Sequence, residues 1–307
     1  MATVSSCGRL FPRSCAIEQT LSINIDVVNT ASETEKSSGG PTRVGSGLNK
    51  VANLGEWVID SLEGIGRSWL FLGRILWASL TPPYRFYQLL LQFLNIGAQS
   101  ALVIALIGIF TGAVLAVQGD YTLSKFGASA YVGSMVALAL IRELGPVLTA
   151  LMVIGRAGSA ITAELGIMKI TDQVDALRSM AVDPIRYLMA PRFIAGVICM
   201  PLLTALFVSL GIAGGYGVAV GLLNLSPGTF LSQMDASVET LDIVSGFVKS
   251  VVFGIIFGWI SCYKGYTAGF GASGVNKATT SAVVTASVAV LVVDYFLTSI
   301  LTRIFFQ

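Results

Sequence analysis

A pair of ionisable residues, Arg142 and Glu143, interrupts a long apolar segment of the chain. The pair lies about eleven residues from one end of that segment, which at about 1.5 Å per helical residue places it near the middle of a bilayer. A charge at that depth costs at least about 2.5–3.5 kcal/mol, so it must face a cavity or a partner. Because Pro146 cannot donate to the carbonyl of Arg142, we also expect a kink in this helix.

This arrangement favours a pathway for a polar headgroup, lined by Arg142, Glu143 and Pro146. A guanidinium beside a free carbonyl suits an anionic headgroup, because arginine can bind a phosphate or carboxylate through two parallel hydrogen bonds. The alternative is that Arg142 pairs with a carboxylate such as Asp294 and only holds helices together.

A charged segment follows at residues 165–181 and predicts a short amphipathic helix. Its apolar face comprises Ile167, Ile170, Val174, Leu177 and Ala181. Asp175 and Arg178 can pair one turn apart, and Asp183-Pro184 should end the helix. Such a helix either covers the protein surface without binding a partner, or it is the contact site for a motor protein. In the second case its apolar side packs on the membrane bundle and its polar side faces the motor protein. The candidate residues for this coupling are Glu164, Lys169, Asp172, Gln173, Asp175, Leu177 and Arg178.

The sequence also excludes several kinds of chemistry. The chain has no histidine, which removes most metal sites and the usual general base near neutral pH. Its four cysteines show no CxxC spacing, and it contains no Walker A phosphate loop. We therefore expect no cofactor and no catalysis in this chain, so that any energy from ATP must come from another subunit. A net charge of +2 with dispersed basic residues argues against a nucleic-acid partner.

Hydrophobic residues make up 54% of the chain and charged residues only 12%, which is typical of a polytopic membrane protein. The predicted fold class is an all-α membrane protein with five transmembrane helices at 97–117, 131–163, 193–223, 244–263 and 282–301. Before them, an amphipathic helix at 51–80 carries too many charges to span and should lie in the headgroup region. Residues 1–47 are expected to form a disordered tail, and residues 48–307 the membrane domain.

Basic residues set the expected orientation. The connection after the second crossing contains Lys169, Arg178, Arg186 and Arg192. Residues 224–242 contain no lysine or arginine, so the N-terminus should be cytoplasmic and the C-terminus should lie on the outer side. In that outer connection, Ser226-Pro227 should begin a short helix. Asp235, Glu239 and Asp242 should give it a solvated acidic face.

Glycines recur in the crossings at GxxxG spacing, which lets helix backbones approach closely in a membrane. The pairs are Gly108/Gly112, Gly211/Gly215, Gly217/Gly221 and Gly254/Gly258. For each pair, packing inside one bundle is favoured over a dimer interface.

The motifs RELGP, GRAGSA and MAVDP, with KATTSAVV near Lys277, resemble those of the MlaE/YrbE permease family, and the resemblance covers about residues 48–307. These permeases are membrane subunits of ABC transporters that move phospholipids together with MCE-domain proteins. The resemblance implies an interfacial helix, five crossings and a homodimer above two ATP-binding (MlaF-like) subunits. It also implies an MCE-domain (MlaD-like) ring on the outer side and often a STAS-domain (MlaB-like) subunit.

By the same resemblance, the ATPase would contact the segment formed by Asp172, Gln173, Asp175, Ala176 and Leu177. Asp172 stands where the family often has Glu, which shortens the reach of the carboxylate by about one methylene. Such a permease would serve outer-membrane lipid asymmetry from a bacterial inner membrane, or alternatively would lie in a plastid inner envelope.

Two other functional classes stay open at this point. In a secondary transporter, an intramembrane relay of ions or protons would run through Arg142, Glu143, Lys249 and Asp294. In a scaffold without transport activity, the chain would only anchor the MCE protein.

Overall fold

The computed structural model describes residues 63–64, 66–79 and 86–305. Nearly all of these residues are helical, and no strand occurs within these ranges. The tail predicted at 1–47 and the first part of the helix predicted at 51–80 lie outside the described residues. In chain order the helices are α1 (66–79), α2 (Tyr87–Ser124), α3 (Ser129–Ile170), α4 (Gln173–Ser179), α5 (Ile185–Gly221), α6 (Pro227–Ser237), α7 (Thr240–Tyr266) and α8 (Gly271–Phe305).

Five of these helices, namely α2, α3, α5, α7 and α8, are long and apolar enough to cross a membrane. The predicted all-α class with five crossings is therefore confirmed. Helix α3 contains 42 residues. A bilayer core requires only about 20, so α3 is long enough to extend beyond the membrane, as expected from the length of the apolar segment.

Helix α5 packs against both α2 and α7, and glycines permit the close approach. A Cβ at Gly108 of α2 would lie 2.8 Å from a carbonyl oxygen of α5, and one at Gly112 would overlap the carbonyl of Gly211. Gly254 and Gly258 of α7 likewise face α5. Internal packing is thus confirmed for three of the four glycine pairs. The exception is Gly217/Gly221, where no atom of another helix among the described residues would lie within 4 Å of an added Cβ.

Helix α1 docks on α7 through aromatic side chains. Trp69 lies 5.1 Å from Trp259 between ring centroids, and the indole N–H of Trp259 donates to the carbonyl of Ser68 over 2.9 Å. Phe71 and Ile75 are buried, whereas Trp77 is largely exposed. An exposed tryptophan on the outer face of a docked amphipathic helix suits the predicted position in the headgroup region.

Helix α6 begins at Pro227 with Ser226 in the N-cap position, as predicted from the sequence. The Ser226 side chain makes no capping hydrogen bond, so the proline alone favours the helix start. Phe230 anchors α6, because its ring packs at 5.6 Å from Tyr216 and is almost fully buried.

The charged segment at 165–181 forms two helices, and the prediction of one continuous helix was wrong. Asp172 adopts a left-handed backbone conformation with φ of 55° and separates α3 from α4. Ala181, with φ of 58°, lies beyond the end of α4, so it does not extend the apolar face of that helix. Helix α4 ends at Ser179, before the stop predicted at Asp183-Pro184, and the Asp183 carboxylate instead accepts the Ile185 N–H over 3.0 Å at the start of α5.

Candidate functional site

Arg142 and Glu143 lie in a π-helical turn, Leu140–Leu144, within α3. The following α-helical segment has Pro146 in its first turn, where its missing N–H removes no hydrogen bond of that segment. Local widening of the helix thus accommodates the proline at the place where we predicted a kink. π-Turns of this kind leave carbonyls without a regular helical partner and are frequent at functional sites.

Lys249 of α7 supplies the partner for this π-turn. Its ammonium donates to the carbonyl of Arg142 over 3.0 Å and to Glu143 Oε2 over 2.7 Å. It also donates to the hydroxyl of Thr298 on α8 over 2.7 Å, and Asp294 Oδ1 lies 3.2 Å away. The Lys249 side chain is only 2% exposed, and a charge so deeply buried requires this set of oxygen partners.

A glycine allows α7 to lie close enough for these contacts. A Cβ on Gly246 would stand 2.5 Å from the carbonyl oxygen of Ile141, next to Arg142. Any larger residue at 246 would push α7 away from the π-turn. The backbone approach at Gly246 therefore positions Lys249, three residues farther along α7.

Arg142 pairs with Asp242 at the start of α7, and the Nε–Oδ1 distance is 3.3 Å. The expectation that Arg142 pairs with Asp294 was wrong as to the partner, because Asp294 pairs with Lys249. The expectation of a solvated acidic face was wrong for Asp242, whose side chain is only 3% exposed. Asp242 also accepts the N–H of Glu239 over 3.0 Å as part of a capping box at the start of α7.

These residues open onto a cavity of about 350 Å³ whose polar lining includes Arg142, Glu143, Lys249 and Thr298. The Arg142 and Glu143 side chains are 33% and 43% exposed, whereas Lys249 is buried behind them. The cavity therefore presents a cation and an anion side by side, with a fixed ammonium beneath. Such a surface can bind a charged or zwitterionic group.

The coupling candidates fall into two sets. Glu164 and Lys169 lie on α3 and make internal contacts: Glu164 pairs with the buried Arg192 at 3.1 Å, and Lys169 donates to the carbonyl of Ala268 over 2.7 Å. Asp172, Gln173, Asp175 and Arg178 are exposed on or beside α4.

Helix α4 is seated by Val174, which is buried, while Leu177 is half-buried. The predicted pair forms, with Arg178 Nη1 at 3.1 Å from Asp175 Oδ1. A second cavity, of about 530 Å³, lies beside α4 and is lined by Leu177, Met180 and Arg192. The apolar side of α4 therefore borders this cavity as well as packing on the rest of the protein.

Comparison with known proteins identifies the family. The model described as "Permease MlaE" matches residues 89–300, which include all five membrane helices almost completely.

The chain belongs to the MlaE permease family. It is 45% identical, over 83% of its length and 98% of the relative, to the "Intermembrane phospholipid transport system permease protein MlaE" of Haemophilus influenzae. A "Probable ABC transporter permease protein" of Rickettsia bellii is 41% identical over 84% of this chain and 99% of the relative. The Arabidopsis thaliana "Protein TRIGALACTOSYLDIACYLGLYCEROL 1, chloroplastic" is 35% identical over 75% of this chain and 66% of the relative.

In this MlaE-family permease, sequence reasoning gave Lys249 no central role and missed Arg156 altogether. Arg156 lies in a second π-turn of α3, Ile154–Gly158, and donates to the hydroxyl of Ser100 over 2.8 Å and to Gln99. The signal available was a cation within an apolar segment, which requires polar partners on neighbouring helices. Among the described residues, no group of three or more His, Cys, Asp or Glu side chains is placed to hold a metal ion.

Proposed function

We propose that this chain is the membrane subunit of an ABC transporter that moves phospholipids, and that a separate subunit hydrolyses the ATP. The observation that carries the proposal is the charged cluster at Arg142, Glu143 and Lys249, which lies within membrane-crossing helices and opens onto a cavity. Intramembrane charges of this kind mark a path for a polar substrate. The names of the Haemophilus and Rickettsia relatives agree with a phospholipid substrate and with an ABC transporter, respectively.

In this proposal the lipid headgroup occupies the 350 Å³ cavity. Arg142 faces the phosphate, because a guanidinium is the side chain best matched to phosphate oxygens. Glu143 faces the cationic part of a zwitterionic headgroup, while Lys249 holds the Glu143 carboxylate in place. Pro146 contributes by fixing the π-turn rather than by touching the lipid.

The partners in the proposal follow from the family resemblance and from the exposed face of α4. The ATP-binding subunit would contact Asp172, Gln173, Asp175, Leu177 and Arg178. Glu164 and Lys169 would support that contact from beneath, through Arg192 and Ala268. Two copies of this chain would enclose the lipid, with an MCE-domain protein on the outer side and a STAS-domain subunit on the ATPase.

The proposed location is a bacterial inner membrane, with the N-terminus in the cytoplasm and the C-terminus in the periplasm. The basic connection between α3 and α5 supports this orientation. A plastid inner envelope is the alternative, and the chloroplastic Arabidopsis relative keeps it open.

The first test is purification of the tagged chain from native membranes in mild detergent. We expect a Walker A protein and an MCE-domain protein to copurify, and lipid mass spectrometry to detect bound phospholipid. A preparation that contains neither an ATPase nor phospholipid would refute the proposal.

A sharper test concerns Arg142. Arg142→Ala leaves the buried Asp242 without its cation, so we pair it with Asp242→Asn to remove that penalty. We expect the double variant to retain severalfold less phospholipid, and Asp242→Asn alone, which keeps the guanidinium, to retain a normal amount. Normal lipid content in the double variant, with only a lowered Tm, would assign Arg142 to helix packing.

A secondary transporter is the second candidate, because the four residues of the postulated relay do come together around Lys249. Reconstitution separates the two functions. Lipid movement that requires ATP and the ATPase supports the first function, whereas substrate movement driven by a pH gradient in vesicles that contain this chain alone supports the second.

A further inference from the structure

Two routes lead from α4 to the charged cluster, and the first runs along α3. This route is interrupted twice: Asp172 breaks the helix between α4 and α3, and the π-turn Ile154–Gly158 lies between that break and Arg142. π-Turns and breaks in the hydrogen-bond ladder are the places where helices bend. Displacement of α4 would therefore be absorbed along α3 before it reached Arg142.

The second route runs through α7, which is α-helical without interruption over 27 residues. At the end of α7 that is cytoplasmic in the proposed orientation, two contacts hold α4 and the end of α3. Arg178 of α4 donates to the hydroxyl of Tyr266, and the guanidinium carbon lies 5.8 Å from the centre of the Tyr266 ring. Lys169, at the end of α3, donates to the carbonyl of Ala268 just beyond α7 over 2.7 Å.

Helix α7 also carries Lys249 and Asp242, the two residues that fix Arg142 and Glu143 in the charged cluster. Lys249 contacts Glu143, Asp294 and the Arg142 carbonyl, and Asp242 pairs with Arg142. Tyr266 lies seventeen positions after Lys249 on α7, which corresponds to about 26 Å of helix at about 1.5 Å per residue. Since Gly246 brings the α7 backbone against Ile141, a shift of α7 along its axis would alter every one of these contacts.

We propose that α7 transmits movement of α4 to the charged cluster, and that Tyr266 is the positioning residue through which α4 engages α7. This inference rests on the proposed function, since it presumes an ATPase that moves α4. Tyr266 is also held by Phe71 of α1, whose ring stacks on it at 6.0 Å between centroids. The tyrosine is thus held at the end of α7 while its hydroxyl engages α4.

The test uses the complete complex in nanodiscs or proteoliposomes and measures phospholipid transferred per ATP hydrolysed. Tyr266→Phe removes only the hydroxyl and keeps the ring that contacts Phe71 and Arg178. The matched control is Tyr263→Phe, one turn away on α7, whose hydroxyl donates to the carbonyl of Gly64 over 3.4 Å and not to α4. Both variants lose one hydroxyl from the same helix end, so their loss of helix stability should be similar.

We expect Tyr266→Phe to lower the ratio of lipid transferred to ATP hydrolysed about fivefold, the lower end of measured couplings between sites. Tyr263→Phe should leave the ratio unchanged. In a double-mutant cycle, Arg178→Ala combined with Tyr266→Phe should lower the ratio no further than Arg178→Ala alone, because both remove the same contact.

An unchanged ratio in Tyr266→Phe would overturn the inference, as would an equal fall in Tyr263→Phe, which would indicate a general loss of stability. These outcomes leave the proposed function intact provided that the wild-type complex moves phospholipid with ATP. Failure of the wild-type complex to do so would remove the proposed function itself, whatever the variants do.

Discussion

Replacing Lys249 with Met keeps the unbranched side chain out to the ε position and removes the ammonium that Glu143 and Asp294 share. Breaking a buried ion pair by removing one partner costs about 3–5 kcal/mol. Because Glu143 is 43% exposed, solvent should offset part of this loss, and we expect about 3 kcal/mol. At roughly 2–4 °C per kcal/mol, the Tm should fall by about 6–12 °C.

The assay is thermal unfolding of the purified complex. A second substitution at Asp294 or Glu143 then shows which unpaired carboxylate accounts for the loss of stability. Asp294 is only 19% exposed, so its unpaired carboxylate should account for most of the loss. Lys249→Met with Asp294→Asn should therefore recover at least half of the Tm decrease, and Lys249→Met with Glu143→Gln clearly less. A Lys249→Met variant with a wild-type Tm would refute this account of the cluster, and so would stronger rescue by Glu143→Gln.

Gly112→Ala should lower the Tm by several degrees, because its Cβ would overlap the carbonyl of Gly211 and overpacking costs about 1–3 kcal/mol. Gly217→Ala is the control, with no such atom within 4 Å, and should leave the Tm unchanged or slightly raised; an equal decrease in both variants would contradict the packing argument. The pair Asp172→Lys and Asp175→Lys should uncouple lipid transfer from ATP hydrolysis without unfolding the bundle, since both carboxylates are exposed. Unchanged transfer in that double variant would remove α4 from the contact with the ATPase.

The charged cluster shows where sequence reasoning succeeded and where it failed. Arg142 and Glu143 could be singled out because a charge in an apolar helix must have a partner, and Pro146 indicated that the Arg142 carbonyl lacks a helical bond. The identity of the partners could not be predicted. Lys249 and Asp242 lie about a hundred residues away along the chain, and nothing in the local pattern of α7 shows which face meets α3.

The charged segment at 165–181 shows a different limit of prediction from sequence. Apolar spacing correctly seated Val174 and paired Asp175 with Arg178, because those relations lie within one helical turn. The break at Asp172 went unpredicted, since aspartate adopts the left-handed conformation only when its surroundings favour it. The contacts of Lys169 with Ala268 and of Glu164 with Arg192 could not be predicted either, because they join residues that are distant in the sequence.

The sequence by itself determined the membrane class, the five crossings, the short helix at Pro227 and the two charged regions. These features depend on transfer of side chains to lipid and on local backbone rules, which act over about twenty residues or fewer. Only the tertiary structure decided that Lys249 binds the Arg142 carbonyl, that Asp242 pairs with Arg142, and that Tyr266 of α7 contacts Arg178 of α4. Those contacts depend on how closely α7 approaches α3 at Gly246, and a backbone distance between separate helices is set by packing of the whole bundle.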